Sequence, residues 1–227
     1  MNHNLNISSI PELANILETS EDHLWYLYRN VERDTKLRLR KKKNGDLRKT
    51  FETSKPLKEI LQKLNKLLQK IYLPSTLQGA VPGRSPLSNG FLHVGNEVVI
   101  CLDIKDFYPS VHYTRVHKLF VSLNCSPEVS KLLTRITTFE GTLAQGFPTS
   151  STIANLLLKG IEPRLSNLCA KHGLNFSFFQ DDLTISGSLR ARKLLNLFVK
   201  IIEQCGYKLN IEKTRVATNK QKQTITG

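Results

Sequence analysis

Phe178-Phe179-Gln180-Asp181-Asp182, which continues into Leu183-Thr184-Ile185-Ser186, is the stretch that decides the fold. Apolar and β-forming residues on both sides of the two acids predict a β-hairpin with adjacent carboxylates at its tip. Neighbouring carboxylates in apolar surroundings repel each other and lose hydration, which is costly unless a cation lies between them. A solvated turn is the alternative interpretation, because aspartate is common in turns for local reasons.

A second apolar stretch, Val98-Val99-Ile100-Cys101-Leu102, predicts a buried strand that ends at Asp103. This carboxylate either joins the hairpin acids as a metal ligand or caps the following helix. Nucleotidyl transfer uses two divalent ions about 4 Å apart, and Mg²⁺ prefers carboxylate and water oxygens. Three aspartates on two strands therefore fit a site for Mg²⁺.

The charge of the chain points to a polyanionic partner. The 227 residues contain 33 Lys and Arg against 19 Asp and Glu, a formal net charge of +14. Residues 31–70 hold 14 basic and 5 acidic residues, so this segment carries +9 of that charge. A basic segment and an acidic hairpin in one chain predict nucleic acid bound near a metal site. Because no run of about 18 apolar residues is present, we expect no membrane partner. The four cysteines lie far apart in the sequence and form no metal-type pair, which indicates a reduced, cytoplasmic protein.

Helical and strand patterns alternate along the rest of the chain. Ser9-Ile10-Pro11 predicts the first of two short N-terminal helices, and an apolar stripe over residues 57–71 predicts a longer helix. Asn44-Gly45 predicts a hairpin turn in the basic segment, which is either simply exposed or a flap that meets phosphate. The loop at residues 145–150 is expected to open one long helix, bent at Pro163. This order predicts an α+β fold with helices behind a sheet.

Four motifs in this sequence resemble those of the reverse transcriptases and follow in that family's order. Asp103-Ile104-Lys105-Asp106-Phe107-Tyr108 resembles the first palm motif, and Gln145-Gly146-Phe147-Pro148-Thr149-Ser150 resembles the loop beside the nascent base pair. Phe179-Gln180-Asp181-Asp182 resembles the aromatic-x-Asp-Asp box, and Gly206 to Lys213-Thr214 resembles the motif after it. The resemblance covers residues 36–227 and implies a right-hand polymerase fold, with an antiparallel palm sheet backed by helices.

Two shorter elements make the sequence most similar to bacterial retron-type or related defence-associated enzymes. Asn89-Gly90-Phe91-Leu92-His93 resembles the retron Asn-Ala-x-x-His element, with Gly90 where Ala is usual, and Ile225-Thr226-Gly227 resembles Val-Thr-Gly. Two residues depart from the family pattern. Gln180 stands where retrons usually have Ala, and Thr53 stands where Pro is common.

The resemblance also implies a division of the chain. An N-terminal helical cap is expected at residues 1–30, and fingers at 31–97 with further finger segments in 114–144. The palm is expected at 98–227. Family members continue into a helical thumb that is not present in this sequence, so we expect either a truncated chain or a second chain that supplies the thumb.

Catalytic roles carried over from the family concern the metal ions and the leaving group. Asp103, Asp181 and Asp182 would hold two Mg²⁺ ions, for which Mn²⁺ could substitute, and Ile104 would offer a backbone carbonyl. Lys213 would donate a proton to the departing pyrophosphate. Alternatively, Lys213 is a surface residue that pairs with Glu212 or with phosphate.

Binding roles carried over from the family concern the nucleotide and the RNA. The expected nucleotide-binding residues are Lys42, Lys43, Arg48, Asp106, Phe107, Tyr108, Gln145 and Gly146. Tyr108 would lie beneath the incoming sugar and exclude ribose, unless it is a core aromatic. The expected RNA-binding residues are Arg84, Asn89 and His93, where a satisfied core histidine is the alternative for His93.

Together these features imply an RNA-directed DNA polymerase that adds dNTPs to a primer on an RNA template, in a bacterial antiphage defence system. The expected partners are a structured non-coding RNA, the DNA product, dNTPs, and an effector protein or a second chain. A non-enzymatic RNA-binding subunit with an inherited palm is one alternative. An RNA-dependent RNA polymerase is another, against which Tyr108 argues.

Overall fold

The chain forms two compact units in the computed structural model, which describes residues 4–41 and 45–225. Unit 1 comprises Met1–Tyr72 and Tyr108–Ile153, and unit 2 comprises Leu73–Phe107 and Ala154–Gly227. In chain order the helices are α1 (Ile10–Ile16), α2 (Glu21–Asn30), α3 (Lys55–Leu68), α4 (Pro86–Phe91), α5 (Phe107–Ser110), α6 (Tyr113–Ser122), α7 (Pro127–Thr137), α8 (Ser150–Lys159), α9 (Glu162–His172) and α10 (Leu195–Gln204). The strands are β1 (Thr35–Lys41), β2 (Leu47–Thr53), β3 (Val98–Asp103), β4 (Thr138–Phe139), β5 (Thr142–Leu143), β6 (Asn175–Phe179), β7 (Asp182–Gly187) and β8 (Arg215–Thr218).

Unit 1 combines helices with a basic hairpin. The predicted N-terminal helices are confirmed: the hydroxyls of Ser9 and Ser20 accept hydrogen bonds from backbone amides in the first turns of α1 and α2, which satisfies donors that have no intrahelical partner. The predicted apolar stripe of α3 is buried. Strands β1 and β2 pair antiparallel, which confirms the predicted hairpin, while its turn residue Asn44 lies outside the described residues.

Unit 2 contains a four-stranded sheet in the order β6-β7-β3-β8, in which every neighbouring pair is antiparallel. Strand β3 is central, and its residues Val98 to Leu102 are all buried although their side chains alternate between the two faces, so both faces of the sheet are covered there. The α+β class and the antiparallel sheet are thus confirmed. None of the helices in the described part of the chain is both long enough and apolar enough to cross a bilayer.

The single long helix expected after Ser150 is wrong. The structure has two helices, α8 and α9, separated by Gly160 and Ile161. Glycine weakens a helix by about 1 kcal/mol relative to alanine. Pro163 lies in the first turn of α9, where its missing amide hydrogen costs nothing. The proline therefore starts a new helix instead of bending an existing one.

The two units divide the chain differently from the expected fingers and palm. Residues 73–97, which the resemblance assigned to the fingers, belong to unit 2 together with the four-stranded sheet. Residues 108–153, which include the further finger segments expected in 114–144, belong to unit 1. The assignment of fingers, palm and N-terminal cap therefore stays a prediction.

Candidate active site

Two of the predicted metal acids face each other across the sheet of unit 2. Asp103 ends β3 and is the direct cross-strand partner of Asp182, which begins β7. Strand β6 pairs with β7 from Phe179 opposite Asp182, so a two-residue turn of Gln180 and Asp181 joins them. The pairing of β3 with β7 runs from Val98 opposite Gly187 to Asp103 opposite Asp182, so the register of the two strands brings these two acids together.

The carboxylates in unit 2 are electrostatically strained without a cation. The pKa of Asp182 is raised to about 6, first by burial and then by the neighbouring carboxylates of Asp181 and Asp103. Arg215 and Lys213 act in the opposite direction and lower it. A group whose charged form is disfavoured by burial and by like charges is stabilised when a cation binds.

Lys213 is already engaged with one of these acids. Its Nζ lies 2.9 Å from Oδ1 of Asp103, whose side chain is 16% exposed while that of Lys213 is 61% exposed. The hydrogen bond to Asp103 is the largest cause that raises the pKa of Lys213. The predicted alternative of a pair with Glu212 is not what the structure shows. The ammonium is thus placed at the carboxylates in its charged form.

Backbone hydrogen bonds fix the segments that carry these groups. The amide of Ile104 donates to the carbonyl of Asp181 at 2.9 Å, and the amide of Asn210 donates to the carbonyl of Asp103 at 2.8 Å. Ile104 also forms a bridge with Leu209, and its side chain is buried. These contacts hold the end of β3 between the hairpin turn and the segment that leads to Lys213.

Carboxylate oxygens are the donors that Mg²⁺ prefers, and it is often bound through one or two carboxylates plus water and substrate oxygens. In residues 4–41 and 45–225, no three His, Cys, Asp or Glu side chains converge as a complete metal cage. The facing aspartates thus fit a divalent ion that keeps part of its coordination for other ligands. The acids line a cavity of about 360 Å³ together with Glu212, Lys213 and Arg215.

Unit 1 contains a second, larger cavity of about 840 Å³. It brings together four predicted nucleotide-binding residues, namely Arg48, Tyr108, Gln145 and Gly146. Sequence reasoning missed three further cations in its lining, namely Arg38, Arg40 and Lys58. The two arginines could have been found from the sequence, because residues two apart on a strand share a face. Lys42 and Lys43 lie outside the described residues.

The cations of this cavity are arranged to attract an anion. Arg40 lies directly opposite Arg48 in the β1–β2 register, and like charges opposite each other destabilise a hairpin. Arg38 is paired within the hairpin, since its Nε lies 2.7 Å from Oε2 of Glu52. A bound anion would relieve the repulsion between Arg40 and Arg48, which makes phosphate a fitting occupant.

Gly146 brings the loop of the second motif against the basic hairpin. The amide of Phe51 donates to the carbonyl of Gln145 at 2.8 Å. A Cβ on Gly146 would lie 2.5 Å from the carbonyl oxygen of Phe51. The φ of Gly146 is +112°, a backbone conformation that residues with a side chain rarely adopt. Only glycine permits this approach of loop and hairpin.

Tyr108 is 7% exposed, and its hydroxyl lies 3.1 Å from Oγ of Ser151.

Two of the expected nucleotide-binding residues are not in the lining of the unit 1 cavity. Asp106 is exposed in a turn at φ +45°. The ring of Phe107 is buried in unit 2, where its centroid lies 5.5 Å from that of Tyr207. A buried ring that packs on another ring serves the core. The structure therefore gives Phe107 a packing role and brings neither residue into this cavity.

Direct RNA contact by Arg84, Asn89 and His93 is not supported. The guanidinium of Arg84 donates to the backbone carbonyls of Leu73, Pro74 and Leu77, so it holds its own loop. Asn89 and His93 are buried, with 0% and 1% of their surfaces exposed. The ring nitrogens of His93 lie 2.7 Å from Oγ of Ser186 and 2.8 Å from Oγ of Ser177. The satisfied core histidine is thus the interpretation that fits.

The sequence matches the family model described as "Reverse transcriptase (RNA-dependent DNA polymerase)" over residues 28–227. The retron Se72 reverse transcriptase of Salmonella heidelberg (strain 579083-10) is 34% identical over 232 residues, which cover 97% of this chain and 61% of that protein. The retron Mx65 reverse transcriptase of Myxococcus xanthus is 31% identical, over 82% of this chain and 48% of that protein. The chain therefore spans about half to three-fifths of the length of these relatives.

A solved structure with a similar fold is that of telomerase from Candida albicans in complex with a TWJ fragment of telomeric RNA. The TM-score is 0.55 at 12% sequence identity, and the match covers 82% of this chain and 43% of that one. At this identity the likeness concerns the fold alone.

Proposed function

Because the chain belongs to the reverse transcriptase family, we propose that it is the polymerase part of a retron-like RNA-directed DNA polymerase. In this proposal it adds dNTPs to a primer on an RNA template. The observation that carries the proposal is the facing pair of Asp103 and Asp182, with Asp181 in the adjoining turn. Asp182 is a half-buried carboxylate whose pKa is raised to about 6 by burial and by two neighbouring acids, so it is suited to bind a cation at neutral pH.

Divalent metal ions are the general cofactor of this family, and we infer two Mg²⁺ ions here, which Mn²⁺ can replace. Asp103, Asp181 and Asp182 would hold them, with the carbonyl of Ile104 as a further oxygen ligand. When bound, the ions lower the pKa of the primer 3′-hydroxyl and neutralise charge on the triphosphate. Water and substrate oxygens would complete the coordination, since the described carboxylates form no closed cage.

Lys213 would act on the leaving group. Its Nζ is held as an ammonium by the contact with Asp103. Release from this carboxylate would let the same nitrogen donate a proton to an oxygen of the departing pyrophosphate, which would otherwise leave as a more basic anion. Arginine at this position keeps the charge but does not readily give up a proton.

The cavity of unit 1 would bind the incoming nucleotide. The repulsion between Arg40 and Arg48 favours a triphosphate as occupant, and the family resemblance assigns contact with the triphosphate to Lys42 and Lys43 as well. Gln145 and the backbone of Gly146 would line the pocket on the template side. Tyr108 would lie beneath the sugar, where a ribose 2′-hydroxyl meets the ring or loses its water without a new partner.

Unit 2 would contribute the palm and unit 1 most of the fingers of a right-hand polymerase. The template would be a structured non-coding RNA, as the resemblance of the sequence to retron-type enzymes implies. An effector protein would couple synthesis to antiphage defence in the cytoplasm. The net charge of +14 supports a nucleic-acid partner and predicts affinity that falls steeply with salt.

Single-nucleotide incorporation tests this function without a need for processive synthesis. A primed RNA template, one complementary dNTP or rNTP, and Mg²⁺ or Mn²⁺ are sufficient reagents. We expect extension with the dNTP, little with the rNTP, and none when EDTA is present. A chain that binds the primed RNA tightly but extends no primer with either metal is instead a non-enzymatic RNA-binding subunit. Preference for the rNTP would indicate an RNA-dependent RNA polymerase.

A further inference from the structure

The segment at residues 76–78 of unit 2 pairs with β6, at the outer edge of the four-stranded sheet. Leu77 forms a parallel bridge with Phe178 of β6. The amide of Phe178 donates to the carbonyl of Thr76 at 2.7 Å, and the amide of Gln78 donates to the carbonyl of Phe178 at 2.7 Å. This pairing brings the next residue, Gly79, to the point where β6 enters the turn that carries Asp181.

No side chain fits at Gly79. A Cβ built there would lie 2.8 Å from the carbonyl carbon of Phe179 and closer still to the backbone nitrogen of Gln180. Both neighbours are backbone atoms, so they cannot move aside as the end of a flexible side chain could. The φ of Gly79 is not in the left-handed region, so the requirement for glycine here is one of space.

The turn that Gly79 contacts, formed by Gln180 and Asp181, is itself strained. Gln180 has a φ of +58°, and a residue with a Cβ adopts this conformation only when the surroundings impose it. Gly79 is held in turn, because Nδ2 of Asn155 donates to its carbonyl at 2.7 Å. Asn155 is 1% exposed and lies on α8, so a rigid element anchors the contact.

From these contacts we propose that Gly79, anchored by Asn155, is a positioning residue for the metal acids. Its backbone supports the Gln180–Asp181 turn and thereby fixes the carboxylate of Asp181 relative to the pair of Asp103 and Asp182. The affinity of the acids for divalent ions then depends on Gly79, although Gly79 offers no ligand. The expected effect of Gly79 on nucleotide incorporation rests on the proposed function, whereas its expected effect on the affinity for divalent ions does not.

Gly79→Ala is the direct test, and Gly90→Ala is its matched control. Gly90 lies in the same unit, its φ is likewise outside the left-handed region, and a Cβ there meets nothing within 4 Å. Mn²⁺ binding to each protein without substrate is measured by the loss of the electron paramagnetic resonance signal of aqueous Mn²⁺. Single-nucleotide incorporation is then measured across a Mg²⁺ titration, with the KM for dNTP determined at saturating Mg²⁺.

In Gly79→Ala, we expect affinity for Mn²⁺ to fall at least fivefold and the Mg²⁺ requirement for half-maximal incorporation to rise in proportion. The KM for dNTP should change less than twofold, because no nucleotide-binding residue is altered. Gly90→Ala should match the wild type in all three quantities. A general loss of folding would instead lower the active fraction and leave the metal requirement of the remaining protein unchanged.

Wild-type Mn²⁺ affinity in a folded Gly79→Ala protein would overturn the proposal. If that protein does not fold, Asn155→Ala decides, since it removes the anchor without adding a clash. It should weaken Mn²⁺ binding in the same direction, and unchanged affinity in folded Asn155→Ala would equally overturn the proposal. Weakened Mn²⁺ binding in a chain whose wild type incorporates no nucleotide would support the positioning role and contradict the proposed function.

Discussion

His93 gives a sharp test of structural support against RNA contact. Its ring is buried between Ser177 of β6 and Ser186 of β7, and burial lowers its pKa from 6.5 to about 4. In the unfolded chain the imidazole takes up a proton near pH 6.5, whereas in the folded chain it does so only near pH 4. The unfolded chain therefore binds more protons in this window, and the folded state loses stability as the pH falls through it.

The size of this effect follows from the shift. One pKa unit corresponds to about 1.4 kcal/mol, so the whole shift is worth about 3 kcal/mol, of which about 2 kcal/mol is lost between pH 7 and pH 5. His93→Gln removes the titrating ring. The free energy of unfolding of the wild type, minus that of the variant, should therefore shrink by about 2 kcal/mol between pH 7 and pH 5. Urea unfolding followed by circular dichroism measures both values at each pH.

Folded His93→Gln should bind primed RNA with wild-type affinity at pH 7.5. A difference in unfolding free energy that is the same at pH 7 and pH 5 would refute the buried neutral ring. Loss of RNA affinity in a His93→Gln protein that is fully folded would restore the contact role that the structure does not support.

Three further predictions concern the site residues. Asp182→Asn should raise the free energy of unfolding of the metal-free protein at pH 7.5 by about 1–2 kcal/mol after allowance for solvent screening. Because the pKa of Asp182 is about 6 in the folded chain and 3.8 in the unfolded chain, this gain should vanish near pH 4 in thermal melts. No gain at pH 7.5 would contradict the repulsion among the acids. Tyr108→Val should raise kcat/KM for rNTP strongly while dNTP use survives; equal losses with both substrates would instead indicate a core role worth about 2–4 kcal/mol. Lys213→Arg should lower the single-turnover incorporation rate about tenfold or more, and an unchanged rate across pH would remove its role as proton donor.

The sequence predicted best those features that local chemistry determines. The serine cap of α1, the apolar stripe of α3 and the antiparallel hairpin of Asp181 and Asp182 all follow from neighbours within a few residues. Their signals are capping hydroxyls and periodic apolar residues, which act within one element. The break between α8 and α9 was missed because the helical spacing of apolar residues continues across Gly160. The structure ends α8 just before this glycine.

Features that depend on contacts distant in sequence were not predictable in the same way. Arg84 suggested a phosphate contact, but its guanidinium binds carbonyls seven to eleven residues earlier in the chain. His93 suggested RNA recognition, but it reaches serines more than eighty residues later. The close approach of Gly79 to Gln180 leaves no signal in either local sequence. A polar side chain alone does not reveal whether its partner is a ligand or the chain itself.

The central claim is that Asp103, Asp181 and Asp182 hold the divalent ions for nucleotide addition. Single-nucleotide dNTP incorporation on primed RNA by Asp103→Asn measures it most directly, with Glu203→Gln as the control for an exposed carboxylate of unit 2. The wild type and Glu203→Gln should extend the primer at equal rates in Mg²⁺. Folded Asp103→Asn should be slower by roughly a thousandfold, because it loses a ligand to ions that stabilise the transition state by several kcal/mol. Wild-type incorporation by Asp103→Asn at the same Mg²⁺ concentration would contradict the account.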